Sequence, residues 1–143
     1  MSGKQKAAIT IAVGGVLASG AYVLNMLFTE GTSFPEHSPR YWVTISSDTI
    51  RSFPVLEPAA DPIYYYSSAD GPSPALQEVS YRSRTNPAEL SERIRKFMQQ
   101  QGYRREGGRY YKSRDEVTVS LNASTDGLTD VRAYLITSDA EVY

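Results

Sequence analysis

The sequence contains no cysteine, one histidine and one tryptophan in 143 residues. Each shortage excludes some chemistry. Without cysteine there is no disulfide framework, no zinc–thiolate site, no thiol nucleophile and no lipid-modified cysteine. A histidine metal site or a Ser-His relay would have to run through His37 alone. That residue lies between Glu36 and Ser38 in a proline-broken stretch, and reads as a loop histidine. Phosphate-binding loops are missing too. Gly14-Gly15 falls inside an apolar run and Gly107-Gly108 inside a hairpin, so neither opens a strand-to-helix cradle. There is no G-x-S-x-G elbow and no S-x-x-K motif. The carboxylate pair Glu89/Glu92 suits the positive end of a helix dipole, and Asp115/Glu116 falls in a turn. We therefore expect no enzymatic activity, no metal and no cofactor.

Charge is nearly balanced at −1 but unevenly spread. Residues 30 to 81 carry seven acidic and two basic side chains. Residues 82 to 114 carry ten basic and three acidic, and residues 115 to 143 six acidic and one basic. The basic block is interleaved rather than continuous, and acidic segments flank it, so nucleic acid is not an expected partner.

The longest run without charge is residues 7 to 28, AAITIAVGGVLASGAYVLNMLF. As a helix it would be roughly 33 Å long, enough to cross a hydrocarbon core of about 30 Å. Its apolar side chains fall on every face, unlike the stripe of a surface helix. Lys4 and Lys6 precede it and Glu30 follows. The basic flank places residues 1 to 6 in the cytoplasm and the rest of the chain across the membrane. The alternative is a signal peptide cleaved after Gly20, which would release a soluble secreted or periplasmic ligand-binding domain. Cleavage there would leave a mature chain beginning AYVLNMLF, so the uncleaved anchor is the preferred reading. Gly14, Gly15, Ala18 and Ser19 place small residues four apart, the spacing that lets a second transmembrane helix approach closely.

Residues 29 to 62 hold Pro35, Pro39, Pro54, Pro58 and Pro62 and read as an arm or linker. Within it YWVTIS, residues 41 to 46, is β-branched and aromatic enough to form a strand. The alternative is that Tyr41 and Trp42 sit near lipid headgroups as an interfacial belt. They lie about 13 residues past the apolar run, so a strand or packed arm is the preferred reading. From residue 63 the pattern becomes regular. IYYYSS is a strand, ADGPSP a turn, and EVSYRSR a second strand with Val79, Tyr81 and Ser83 on one face. Asn86 then caps a helix with Pro87 in its first position and Glu89 completing a capping box. Leu90, Ile94, Phe97, Met98 and Gln101 fall on one helical stripe, and Gly102 ends the helix. GYRREGGRYYKS is a hairpin around Gly107-Gly108. EVTVSLN and TDVRAYLIT alternate as strands with one covered face.

The expected fold is therefore α+β: one transmembrane helix followed by a small two-layer domain over residues 63 to 143. Its antiparallel sheet of about five strands packs on one helix in the order ββαβββ. Opposite the helix, Arg82, Arg84, Arg132 and Tyr134 share an exposed face, joined in this reading by Tyr64, Tyr66 and Lys112. Arginine interleaved with tyrosine is the composition of partner-binding surfaces. The sequence points to an anchored, extracytoplasmic interaction protein, an accessory subunit of a membrane complex. Its expected contacts are other membrane proteins and, through residues 7 to 28, the lipid bilayer.

Overall fold

The computed structural model describes residues 19 to 25 and 31 to 138. Residues 19 to 25 are helical, with Tyr22, Val23 and Leu24 exposed. The rest of the apolar run, including Gly14, Gly15 and Ala18, lies outside the described residues. Among the described residues no helix is long and apolar enough to cross a membrane.

The folded part is an α+β unit with seven antiparallel strands. In chain order these are β1 (Phe34–Pro35), β2 (Ile63–Ser67), β3 (Leu76–Ser83), β4 (Arg104–Glu106), β5 (Arg109–Lys112), β6 (Asp115–Ala123) and β7 (Thr129–Thr137). Their order across the sheet is β1-β2-β3-β7-β6-β5-β4. The last strand thus enters between β3 and β6, pairing Val79 with Ala133 and Val119 with Ala133. Three helices, α1 (Pro39–Thr44), α2 (Asp48–Arg51) and α3 (Pro87–Gln100), complete it. The sheet has two strands more than expected, because the order ββαβββ counted the predicted hairpin as one strand where β4 and β5 are two, and Phe34–Pro35 adds an edge to β2.

The long helix forms as its sequence dictates. Asn86 Oδ1 accepts the Glu89 amide at 2.9 Å, and Pro87 needs no partner for an amide it lacks. Leu90, Ile94 and Met98 are fully buried, and Phe97 meets the Phe53 ring edge-on at 5.9 Å. At the other end Gly102 takes φ +85°. Its amide bonds to Gln99 O at 3.0 Å, and the Tyr103 amide to Met98 O at 2.9 Å. That pair of bonds is a Schellman stop, and it turns Tyr103 into the core.

Residues 41 to 46 do not form a strand. Ser38 Oγ accepts the Tyr41 amide at 3.2 Å and Pro39 opens α1. The Ser-Pro start signal outweighs the β-propensity of Tyr-Trp-Val-Thr. α1 buries Tyr41 and Thr44, and Arg51 closes its end by donating to Ile45 O at 2.6 Å. The core therefore reaches well into the proline-rich stretch: Phe34, Tyr41, Ile45, Ile50 and Phe53 join Val79, Tyr81, Val117, Val131, Ala133 and Leu135 in one cluster. α3 packs on β6, whereas α2 packs on β3 and β7, and α1 on β1.

Two substitutions test this account. Gly102→Ala forces a side chain into the left-handed region and is expected to lower stability by roughly 1–2 kcal/mol. Ile94→Ala removes a fully buried branch beneath the sheet and is expected to cost about 2–5 kcal/mol. Urea denaturation of the two variants, compared with the parent chain, measures both.

Candidate functional site

The face of the sheet turned away from the helices is open. No side chain of β2, β3, β5, β6 or β7 that points this way is buried, whereas those pointing to the helices mostly are. The strand register arranges this face in transverse rows. One row runs Ile63, Ser80, Arg132, Ser120, and the next Tyr65, Glu78, Tyr134, Thr118, Arg109. A third runs Leu76, Ile136, Glu116, Tyr111, Arg104. Tyr134 thus stands near the middle of the sheet, half-buried, with Arg132 two residues away on the same strand and Arg109 two strands away.

Diagonal ion pairs tie the rows together. Arg132 Nε lies 3.1 Å from Glu78 Oε1, and Arg109 Nη1 lies 2.7 Å from Glu116 Oε1. Burial raises the Glu78 carboxyl above its ordinary range, and Arg132 offsets only part of that. Thr118 Oγ1, between Tyr134 and Arg109, is buried without a hydrogen-bond partner. Beside these rows Ala60 and Asp61 rise at the rim of an open concavity of about 560 Å³. Its floor carries Ser80, Arg82, Ser120, Asn122, Asp130 and Arg132.

The four arginine and tyrosine candidates are not equivalent. Arg132 and Tyr134 present themselves on the open face as expected. Arg82 lies on the same face but is committed to an internal clamp. It donates to Asp130 at 2.9 Å, to Asp126 at 2.7 Å and to Ser124 at 3.3 Å, holding the β6–β7 turn against β3. Those contacts raise its already high pKa and hold the Asp126 carboxyl down. Arg84 sits past the end of β3 and donates to Pro58 O at 3.0 Å, fastening the arm.

Three residues expected on this face lie elsewhere. Tyr64 pairs with Val79 and is buried on the helix side, edge-on to Tyr41 at 4.7 Å. Tyr66 packs against the core from the same side. Lys112 donates to Gln101 O at 2.7 Å and sits 5.6 Å over the Tyr103 ring. The outward tyrosines are Tyr65, Tyr111 and Tyr134. Three consecutive tyrosines hide their phase, and only the pairing of Tyr64 with Val79 sets it. Of the small-residue positions, only Ser19 is described, at the exposed start of the helical residues 19 to 25. Among the described residues no group of three or more His, Asp or Glu side chains is placed to hold a metal ion.

The raised Glu78 carboxyl has a measurable consequence. It keeps its proton in the folded chain to a higher pH than in the unfolded one. Its ionisation therefore costs stability as pH rises through that window. Glu78→Gln is expected to gain stability relative to the parent as pH rises from 4 to 7, in paired urea titrations. A constant difference would contradict the burial assigned to this carboxyl.

Compared with protein-family models, with curated proteins and with solved structures, the chain matches none.

Proposed function

We propose that this chain is a non-enzymatic, single-pass membrane protein whose extracytoplasmic domain captures a protein partner on the open sheet face, as an accessory subunit of a membrane complex. The observation that carries the reading is the asymmetry of the sheet. One face is roofed by three helices and the arm, while the other is uncovered at its centre, where Tyr134 and Arg132 stand. Tyrosine and arginine bring large contact area with hydrogen-bonding ends, and both are enriched at interface centres. Arg132 and Arg109 already have carboxylate partners, so a binding surface would not have to desolvate a lone charge. The concavity beside Arg132 offers a recess for one protruding side chain of the partner.

Support for the anchor is the length and freedom from charge of residues 7 to 28, behind Lys4 and Lys6. The exposure of Tyr22, Val23 and Leu24 fits a segment whose apolar surface is covered by something other than this domain. Gly14, Gly15, Ala18 and Ser19 provide a second contact, with a transmembrane helix of the complex.

A photo-crosslinking side chain at position 134, in the full chain in its native membrane, is expected to trap a discrete protein adduct. The same group at position 93, on the solvent side of α3, is expected to trap none. Tyr134→Ala with Arg132→Ala should remove the partner while leaving the unfolding midpoint within a few degrees, since Arg132 is exposed and Tyr134 lies on the open face outside the buried core. Equal labelling from positions 134 and 93 would refute the sheet-face reading. Gly15→Leu with Ala18→Leu should abolish partner co-extraction in mild detergent if the helix contact is real.

A further inference from the structure

A second exposed surface lies on α1. Trp42 is 56% exposed and Val43 44%, side by side on the flank opposite the buried Tyr41 and Thr44. The indole is braced on three sides. His37 stacks on it at 5.6 Å, Tyr41 meets it edge-on at 5.3 Å, and the Arg51 guanidinium lies 5.5 Å from its centroid. Scattered exposed apolar side chains are ordinary, so exposure alone assigns nothing. Position along the chain adds the second observation. The Arg40 guanidinium donates to Thr32 Oγ1 and lies 5.0 Å over the Phe34 ring. α1 is therefore clasped to the residues by which the domain follows the apolar run. Thr32 is four residues beyond Phe28, a tether of at most about 14 Å. The headgroup zone on each side of a bilayer is roughly 5–8 Å deep. A domain held by residues 7 to 28 on so short a tether can bring α1 down to that zone.

We propose that Trp42 and Val43 sit in the headgroup–acyl boundary of the bilayer that holds the chain, with Arg51 and His37 at the level of the lipid phosphates. Tryptophan favours this boundary because its ring is apolar and its N–H needs a polar partner. Guanidinium pairs readily with phosphate oxygens. Between residues 36 and 51 the two acidic side chains, Glu36 and Asp48, balance the two basic ones, Arg40 and Arg51, so this segment suits a zwitterionic lipid and needs no anionic one. The contact adds a second attachment point to the tether. It thereby fixes how the domain stands on the membrane and which way its open sheet face looks. The inference rests on the membrane-anchor reading above.

Trp42 is the sole tryptophan, so indole emission reports on this position alone. The full chain is reconstituted in phosphatidylcholine vesicles whose acyl chains are brominated close to the glycerol. Emission is expected to fall to roughly half of that in unbrominated vesicles, and acrylamide to quench poorly, as for an interfacial ring. Val43→Asp, at an exposed position, is expected to weaken the bromolipid quench with an unchanged circular dichroism spectrum. A chain that floats with the vesicles while acrylamide quenches Trp42 freely and bromine does not would overturn this inference and leave the anchor standing. Shielding from both quenchers would assign the surface to protein and overturn it equally. A chain that fails to float removes the anchor, and the inference with it.

Discussion

One helix cannot roof a seven-stranded sheet, and the rest of this architecture follows from that. Strands about 4.8 Å apart make this sheet roughly 29 Å wide, and a helix with its side chains covers about 10–12 Å. α3 therefore shields the β6 side and leaves the inner face of β1, β2 and β3 to be covered by something else. The residues between 34 and 56 do so, with Phe34, Tyr41, Ile45, Ile50 and Phe53. Seven strands, a single long helix and a folded arm belong together. Without the arm, Tyr64, Val79 and Tyr81 would face water.

Hydrogen bonds hold that arm in place, chiefly from polar side chains on the inner face of β3. Gln77 Oε1 accepts the amides of both Ser46 and Ser47 at 2.9 Å, and its Nε2 donates to Ser46 Oγ at 3.1 Å. Tyr81 donates to Pro54 O at 2.9 Å, and Ser83 to Leu56 O. Each such bond contributes only about 1 kcal/mol net, but losing one partner inside costs more than that. The bonds thus act mainly as register marks. They decide which arm residue lies over which strand residue, while apolar burial supplies the driving force.

On the opposite face the same strands do different work. Its charges are arranged as pairs: Arg82 with Asp126 and Asp130, Arg132 with Glu78, Arg109 with Glu116. Exposed pairs of this kind add little stability. Their effect is to hold long side chains in defined places around Tyr134. Arg82 shows how proximity on a face separates from availability: it has the exposure of a binding residue and the partners of a structural one.

Local rules were sufficient for α3, whose cap, stripe and glycine stop all lie within 17 consecutive residues, 86 to 102. They sufficed also for β3, β6 and β7, where strict alternation under one covered face leaves a single phase, and so for the outward placing of Arg132 and Tyr134. They failed where two local signals competed, as at residues 39 to 44, and where a run such as Tyr64-Tyr65-Tyr66 carries no phase of its own. The sequence by itself determined the α+β class, the length of the apolar run and the outward placing of Arg132 and Tyr134. Only the tertiary structure decided that the arm belongs to the core, which tyrosines of β2 face outward and which arginines are already engaged. Those outcomes depend on partners far apart in the chain, 54 residues in the case of Thr49 and Tyr103, and no pattern confined to neighbouring residues encodes them.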